Sequence, residues 1–365
     1  MQTYGSTGSA EATTKPTVAV FFGGRSVEQP VSCASGSGVA KALRERGYDV
    51  TAVGITRAGE WVQLPNDATF AIESSDALPE VTADAGKALA VDLGPGSVPI
   101  ADVAFPALHG PFGEDGTIQG LFEMAGIPYV GSGVLSSSVA MDKEFTKRLV
   151  AAAGIPQGAY AVLKPGEELD AQAVIDQLDL PLFVKPARAG SSLGISKVRS
   201  KAALIEAVAK AREVDDKIVF EASFEDIREI EMGVLARHDG GLDVTFPLEV
   251  LAMGEDGWFD FDAKYLDNPE PFNLRPDYPE GVAEQAQALA REVFRLLDCR
   301  DLARVDCFLT PDGTVYLNEI NTMPGLTPMS GVPQAFAASG ISYGDLVERL
   351  VTLAAARVGG RTAGA

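Results

Sequence analysis

The sequence predicts a mixed α/β protein whose first third is built on a parallel sheet. Thr17–Phe22 is a short run of β-branched and aromatic residues, and a helical pattern of apolar residues begins after it, at Ser32. Apolar runs at Asp49–Ile55 and Asp102–Leu108, and a helix predicted at Thr117–Ala125, continue the alternation. Because strands that alternate with helices are typical of parallel sheets covered by helices, we expect one α/β lobe here.

Beyond Val134, strands and helices surround a glycine-rich loop, and the last two strands flank a turn signal. Helices are predicted at Ser138–Ala153, Lys201–Arg212, Val282–Leu297 and Phe336–Leu353. Strands are predicted at Leu182–Lys185, Lys217–Glu221, Ile230–Leu235, Val244–Leu251, Ala303–Leu309 and Thr314–Ile320. Pro311-Asp312-Gly313 separates the last two strands, which predicts that they form a hairpin.

Composition and charge exclude several classes of function. The 365 residues are enough for two or three lobes, each with its own core. The formal net charge of −21 would repel a phosphate backbone, so no nucleic-acid partner is expected. No membrane partner is expected either, because no run of about 18 apolar residues exists. Met1–Lys15 lacks the apolar segment of a secretory signal, and three cysteines without a Cys-x-x-Cys pair indicate a reducing compartment. We therefore expect a cytoplasmic protein.

The predicted hairpin carries the clearest indication of a metal site. A turn centred on Asp312 places Asp306 opposite Glu319 to within one residue. Because side chains two apart on a strand share a face, Arg304 lies with Asp306, and Asn321 with Glu319. Two carboxylates and an amide oxygen suit Mg²⁺ and not zinc. The alternative is a solvated face with a cross-strand Arg–carboxylate pair.

Three further segments carry candidate binding groups. The loop within Val184–Ser196 has two glycines and two serines, and such a loop can fold over phosphate oxygens, although it is not a Walker A sequence. Its alternative is a flexible surface hairpin. His109 and Glu28 each follow a predicted strand, where ligands of open α/β sheets bind. The stretch NTMPGL at Asn321–Leu326 follows the hairpin, and a backbone N–H there could hold a developing oxyanion.

Seven motifs occur in an order that resembles one known family. They are HGPFGEDGTIQG, the GSG at 131–133, the MDK at 141–143, VKPARAGSS, the AKYL at 263–266, ARVD and NEINTMPG. From about Val18 to Leu350 the chain resembles the D-alanine–D-alanine ligase family of the ATP-grasp superfamily. The resemblance implies an ATP-grasp fold, with an N-terminal α/β lobe at 16–133 and two α+β lobes at 134–224 and 225–358 that clasp ATP. It also implies a homodimer that joins two D-alanine molecules through an acyl phosphate, for peptidoglycan synthesis.

The resemblance assigns a role to each site residue. For the nucleotide, Lys143 and Lys185 would hold phosphates, Glu221 and Phe224 the adenine, Glu229 the ribose, and Phe308 would pack under the adenine. For the metal, Asp306, Glu319 and Asn321 would bind two Mg²⁺ or Mn²⁺ ions. For the substrates, Glu28 would bind the ammonium of the first D-alanine, with His109 beside it, and Ser330 would hold the carboxylate of the second. The oxyanion would be stabilised by Arg304 and the Gly325 N–H. Lys264 would reach the transferred phosphate. For closure, Tyr265, Ser191 and Glu28 would lock a flap over the site.

Two departures from the family pattern and three rival functions accompany this assignment. Gln29-Pro30 stands where many members have His-Glu, and Ala189 stands where a glutamate is common. A depsipeptide ligase that uses D-lactate is one rival, but Tyr265 favours an amine nucleophile. Other ATP-grasp ligases share the hairpin and the lysines but lack HGPFGEDG together with AKYL. A nucleotide-binding regulatory module without catalysis would not need Arg304 and the whole set of metal ligands.

Overall fold

The structure is a computed structural model that describes residues 15–72, 78–90, 100–251 and 271–357. Within these residues the strands form three sheets. None of the described helices combines the length and apolar composition needed to cross a bilayer.

The first sheet confirms the predicted parallel α/β lobe. Its strands are β1 (Val18–Gly23), β2 (Val50–Ile55), β3 (Trp61–Gln63), β4 (Lys87–Ala88) and β5 (Val103–Pro106), and its helices are α1 (Gln29–Glu45) and α2 (Thr117–Ala125). The described strands lie in the order β4-β3-β2-β1-β5, with β1 parallel to both β2 and β5. The carboxyl ends of β1 and β5 therefore meet at one edge, where Glu28 and His109 follow them.

The prediction of one helix at Ser138–Ala153 is wrong. The structure has α3 (Val134–Met141) and α4 (Lys143–Ala152), which are separated at Asp142. Asp142 has extended backbone angles, and its side chain accepts the N–H groups of Glu144 and Phe145. An aspartate that caps the following turn in this way starts a new helix.

The central sheet is antiparallel and carries the glycine-rich loop. Its strands are β6 (Tyr160–Leu163), β7 (Leu182–Pro186), β8 (Ser196–Val198) and β9 (Ile218–Ala222), and its helices are α5 (Ala171–Leu178) and α6 (Lys201–Arg212). The described strands lie in the order β6-β9-β7-β8. Apolar side chains of both helices pack on this sheet, including Leu178 and Leu204 with Val184 and Phe220. The loop between β7 and β8 is thereby held at the edge of a packed sheet.

The third sheet contains the predicted hairpin. Its strands are β10 (Arg228–Ala236), β11 (Leu242–Val244), β12 (Leu248–Val250), β13 (Phe272–Asn273), β14 (Leu302–Leu309) and β15 (Val315–Asn321), and α7 (Val282–Leu296) packs on it. The described order is β13-β12-β10-β14-β15, with β11 also paired to β10. The prediction of one strand at Val244–Leu251 is wrong, because β11 and β12 pair separately with β10.

The prediction of one closing helix at Phe336–Leu353 is also wrong. The structure has α8 (Gly331–Ala338) and α9 (Tyr343–Ala356). Gly340 has a positive φ of 91°, which ends the first helix, and the Ser342 hydroxyl accepts an N–H to start the second. Helix α9 packs into the core of the first sheet, so the end of the described chain returns to the first lobe.

Candidate active site

Strand β14 divides its side chains between a core and a cleft. Val305 and Cys307 are buried against α7, so the alternating residues Arg304, Asp306 and Phe308 lie on the opposite face. That face borders the inter-sheet cleft, a space of about 100 Å³ between the central and third sheets. The cleft is lined by residues that include Lys143, Lys185, Ser191, Glu229, Asp306, Phe308 and Glu319.

The pairing of β14 with β15 contains a bulge. Cys307 pairs with Leu317, whereas the preceding Asp306 pairs with Glu319. Asn318 is therefore the extra residue of β15. The predicted pairing of Asp306 with Glu319 is confirmed.

The bulge changes which side chains of β15 face the cleft. Leu317 before it and Ile320 after it are both buried in the core with α7. Because side chains alternate on a strand, Glu319 and Asn321 lie on the face opposite to Ile320, together with Asp306. Without the bulge, strict alternation from Leu317 would turn Glu319 into the core.

Arg304 is bound by two carboxylates at the centre of this face. Its Nε and Nη2 donate to Oδ1 and Oδ2 of Asp306 at 2.7 and 2.6 Å, and Nε lies 3.6 Å from Glu231 Oε2. Burial opposes the charge, but Asp306 and Glu231 raise the pKa of Arg304 well above its ordinary value. A fixed positive charge therefore lies beside the predicted metal ligands.

Two buried lysines bind one carboxylate on the central sheet. Lys185 Nζ donates to Glu221 Oε2 at 3.0 Å, and Lys147 Nζ lies 3.4 Å from Glu221 Oε1. Burial alone would raise the pKa of Glu221, but the ammonium groups of Lys147 and Lys185 lower it to about 2. Glu221 therefore stays ionised and holds Lys185 at the cleft.

Lys143 connects α4, the glycine-rich loop and the hairpin. Its backbone N–H donates to the Ala187 carbonyl at 3.0 Å, and its Nζ donates to the Ala189 carbonyl at 2.8 Å. The same Nζ lies 3.6 Å from Glu319 Oε2. One ammonium group thus reaches both walls of the inter-sheet cleft.

The first lobe supplies Glu28, which is buried and held from the central sheet. The Ser191 hydroxyl donates to Glu28 Oε1. A Cβ built on Gly110 would lie 2.4 Å from Glu28 Oε2, and one on Gly190 would lie 2.9 Å away. Both glycines therefore allow the close approach that places this carboxylate between the two lobes.

His109 is held as a neutral imidazole. Its Nδ1 lies 2.9 Å from the Met323 carbonyl, which can only accept, so Nδ1 carries the proton. Its Nε2 therefore accepts a hydrogen bond from the Ser35 hydroxyl at 3.1 Å, and Ser35 Oγ in turn accepts the Leu326 N–H at 3.1 Å. Burial lowers the pKa of His109 to about 4. The histidine thereby orients the loop that follows the hairpin.

Phe308, which lines the inter-sheet cleft, belongs to a group of packed aromatic rings. The ring centroids of Phe224 and Phe308 are 5.8 Å apart, and those of Phe224 and Tyr316 are 4.8 Å apart. Glu229 pairs with Phe308 across β10 and β14 and lines the same cleft. A flat, apolar ligand with a polar edge would fit there.

A larger cavity of about 600 Å³ adjoins the cleft. The predicted site residues that line it are Glu28, His109, Ser191, Arg304, Glu319, Asn321, Gly325 and Ser330. Ser330 precedes α8, and its Oγ accepts the Thr327 N–H at 3.2 Å without capping the helix. The remaining predicted residues, Lys264 and Tyr265, lie outside the described part of the chain.

Sequence profiles described as "D-ala D-ala ligase N-terminus" and "D-ala D-ala ligase C-terminus" match residues 17–132 and 149–352. The chain belongs to the D-alanine–D-alanine ligase family. It is 47% identical to the D-alanine–D-alanine ligase of Mycobacterium tuberculosis strain H37Rv, over 93% of this chain and 95% of that protein. It is also 47% identical to the D-alanine–D-alanine ligase of Nocardia farcinica, over 93% of this chain and 97% of that protein.

Solved structures of related ligases share the fold. The D-alanine–D-alanine ligase of Coxiella burnetii superposes with a TM-score of 0.81 at 30% identity, over 96% of this chain and 98% of that one. The VanG D-Ala:D-Ser ligase of Enterococcus faecalis superposes with a TM-score of 0.78 at 32% identity, over 93% of this chain and 100% of that one. The predicted family and its ATP-grasp fold are confirmed, and a family of ATP-dependent ligases supports the predicted use of ATP.

The two departures from the D-alanine–D-alanine ligase pattern are accommodated locally. Gln29 and Pro30 begin α1, where a proline in the first turn leaves no hydrogen bond unmade. The buried Gln29 side chain donates to the Gly24 carbonyl at 2.9 Å. Ala189 contributes its backbone carbonyl to Lys143, and this contact needs no side chain.

Several residues of this site were not predicted from the sequence. Glu231 alternates with Ile230 and Met232 of the core, and that alternation was the signal that could have found it. Glu114 is buried within HGPFGEDG, and its Oε1 accepts the Gly110 N–H at 2.9 Å. Burial and the neighbouring Glu28 raise the pKa of Glu114 well above its ordinary value.

A buried cluster of three charges was missed without any local signal. Lys217 Nζ lies 2.5 Å from Asp142 Oδ2 and 3.0 Å from Glu144 Oε2. Its carbonyl also accepts the Ala187 N–H at 2.9 Å. Lys217 therefore joins the start of α4 to the strand that leads into the glycine-rich loop. Its two carboxylate partners, Asp142 and Glu144, are the residues before and after Lys143.

Proposed function

We propose that this chain joins two D-alanine molecules into D-alanyl-D-alanine, with cleavage of ATP to ADP and phosphate, for peptidoglycan synthesis. The observation that carries the proposal is the meeting of two spaces at Glu319, with Asp306 lining the cleft on one side and its partner Arg304 lining the cavity on the other. The inter-sheet cleft on one side is lined by lysines and aromatic rings, and the 600 Å³ cavity on the other contains Glu28 and Ser330. Nucleotide phosphates and an amino acid would meet at this junction.

ATP would lie in the inter-sheet cleft. Phe308 and Phe224 provide apolar faces for the adenine, with Glu221 near it, and Glu229 could accept hydrogen bonds from the ribose hydroxyls. Lys143 and Lys185 would bind the phosphates, and the loop at Gly190 and beyond would cover them with backbone N–H groups. Lys264, which is not among the described residues, is proposed to reach the transferred phosphate.

The donor set of the hairpin fits Mg²⁺ or Mn²⁺. Asp306 and Glu319 are directly paired on neighbouring strands, and Asn321 offers an amide oxygen on the same face. These are hard oxygen ligands, and we propose that they bind two ions. Bound metal would neutralise phosphate charge during transfer. Asp306 lines the cleft, and both of its carboxylate oxygens accept hydrogen bonds from Arg304, which fixes the side chain there.

The first amino acid would bind beside Glu28. Its ammonium would face the Glu28 carboxylate, and its carboxylate would point to the cleft. A carboxylate oxygen attacks the γ-phosphorus of ATP, the bond from that phosphorus to the bridging oxygen breaks, and ADP leaves. The product is an acyl phosphate. This transfer depends on positioning and charge neutralisation, which the lysines and Arg304 supply.

The second amino acid would bind at the start of α8. Its carboxylate would be held by Ser330 and by the N-terminus of that helix. Its amine attacks the acyl carbon, and Arg304 with the Gly325 N–H would stabilise the tetrahedral oxyanion. The carbon–oxygen bond to phosphate then breaks, the nitrogen loses a proton, and the peptide bond is formed. We propose that Tyr265 closes a flap onto Ser191 and Glu28, which would keep water from the acyl phosphate.

We further propose that the enzyme is a cytoplasmic homodimer, with lobes at 16–133, 134–224 and 225–358. Support for self-association comes from an apolar surface on the first lobe and the adjoining α3. Met124 of α2 is 86% exposed and Leu135 of α3 is 68% exposed, with Phe112 also exposed. Light scattering of the wild type and of Met124→Glu tests this, and a wild type that is monomeric at micromolar concentration would contradict it.

A phosphate-release assay tests the proposed activity directly. The protein is incubated with ATP, Mg²⁺ and one of D-alanine, L-alanine, D-serine or D-lactate, or with D-alanine and D-lactate together, and the product is identified by mass. We expect phosphate and dipeptide in equal amounts with D-alanine, and much slower release with L-alanine. Release with D-alanine plus D-lactate that yields mainly the ester would identify a depsipeptide ligase instead. Nucleotide binding without any phosphate release would identify a regulatory module.

A further inference from the structure

We propose that Phe272, which no sequence motif indicates, limits the size of the side chain that the second amino acid can carry. The inference rests on the proposed binding of that amino acid at Ser330. Phe272 lies on β13 and is half-buried, with one side packed on Leu248 and Val250. It also lines the 600 Å³ cavity beside Ser330.

The ring of Phe272 occupies the space next to a glycine that begins α8. A Cβ built on Gly331 would lie 3.1 Å from Phe272 Cζ and 3.3 Å from both Phe272 Cε1 and Leu248 Cδ2. These separations are shorter than ordinary van der Waals contacts, so a side chain at 331 would have to displace the ring. Gly331 and Phe272 are therefore a complementary pair, in which the aromatic ring provides the wall that a side chain at 331 would otherwise form.

This wall is close to the proposed carboxylate site. Ser330 is the residue before Gly331. Gly325 lies beside Ser330, since a Cβ built on Gly325 would be 3.0 Å from Ser330 Oγ. An amino acid whose carboxylate is held at Ser330 and the α8 N-terminus has its Cα within one residue's distance of Gly331. Its side chain would then meet the Phe272 ring, which is held from behind by the strand pairing of β13 with β12. A rigid apolar wall of this kind discriminates by size.

A mixed-substrate experiment tests the inference. The enzyme receives ATP, Mg²⁺ and equal amounts of D-alanine and D-2-aminobutyrate, which has one more methylene. Fragmentation of the dipeptides by mass spectrometry shows which residue is carboxyl-terminal. For Phe272→Ala we expect the ratio of carboxyl-terminal aminobutyrate to alanine to rise about tenfold or more, with the amino-terminal ratio unchanged. Phe272→Leu, which keeps more of the packing, is expected to show a smaller rise in the same position.

Two further variants sharpen the result. Phe246→Ala removes an exposed ring that stacks on Tyr278 and does not line the described cavity, and it is expected to leave both ratios unchanged. Gly331→Ala is expected to slow dipeptide formation when it is made in the wild type. In the Phe272→Ala background the factor by which Gly331→Ala slows the rate is expected to be at least threefold smaller. An unchanged carboxyl-terminal ratio in Phe272→Ala, an equal rise at both positions, or additive effects with Gly331→Ala would overturn the inference. A wild type that forms no dipeptide would instead refute the proposed function.

Discussion

The contact of Gly110 with Glu28 permits a sharp test of the amino-acid site. In Gly110→Ala the new Cβ would lie 2.4 Å from Glu28 Oε2 and equally close to Ser26 Oγ. An ordinary contact is about 3.4 Å or more, so the buried carboxylate would have to move by about 1 Å. A displacement of that size at a substrate-positioning group can reduce the rate about 100-fold. The positive φ of Gly110, 72°, adds about 1 to 2 kcal/mol of backbone strain.

Gly126→Ala is the matched control for this variant. Gly126 has a similar φ of 67°, but a Cβ there would meet nothing within 4 Å. Both variants should lose the stability that backbone strain costs, and Gly110→Ala should lose more in thermal unfolding because its Cβ also displaces buried groups. Gly110→Ala alone should lose about 100-fold in kcat/KM for D-alanine in a coupled ADP assay. Equal activity losses in both variants would mean that backbone strain is responsible. Wild-type activity in Gly110→Ala would show that Glu28 does not position the substrate.

Three further predictions concern metal, pH and buried charge. Glu319→Gln removes an anionic metal ligand and should raise the Mg²⁺ concentration for half-maximal rate more than about tenfold, while Glu292→Gln on the exposed face of α7 should not change it. Folding lowers the pKa of His109 from 6.5 to about 4, so as pH falls the unfolded chain binds a proton at this histidine before the folded chain does. The contribution of His109 to the unfolding free energy is therefore complete above pH 6.5 and is lost as pH falls toward 4. The wild type should therefore lose about 3 kcal/mol more unfolding free energy over that range than His109→Gln, and parallel pH curves would contradict this. Lys217→Met leaves two buried carboxylates without their ammonium partner and should destabilise the protein by about 3 to 5 kcal/mol. Arg148→Ala removes an exposed guanidinium that pairs with the same Glu144, which keeps Lys217, and should cost less than about 1 kcal/mol in denaturant unfolding.

Patterns that depend on neighbouring residues were predictable from the sequence. Period-two and 3.6-residue hydrophobic patterns located β1, α2, α6 and both strands of the hairpin, and the turn at Asp312 predicted the pairing of Asp306 with Glu319 to within one residue. The bulge at Asn318 was not predicted, because strict alternation along β15 carries no sign of an extra residue. That bulge is what brings Glu319 to the same face as Asp306.

Features that depend on distant contacts were missed. The break at Asp142 had a local signal, because aspartate is a common helix N-cap and its side chain caps α4. Its ion pair with Lys217 had none, because the two residues are 75 positions apart in the chain. The same holds for Glu221, whose binding to Lys147 and Lys185 requires the central sheet and α4 to be packed together. Roles in nucleotide and substrate binding came from the resemblance to the D-alanine–D-alanine ligase family, and they stay predictions.

The central claim is that Asp306 and Glu319, aligned by a bulge in one hairpin, bind the divalent metal that accompanies ATP. Anomalous diffraction from crystals grown with Mn²⁺ and ADP measures this position directly. The expected result is an Mn²⁺ peak within bonding distance of both carboxylates and of a nucleotide phosphate oxygen. A peak elsewhere, with ADP bound and both side chains still facing the cleft, would contradict the claim.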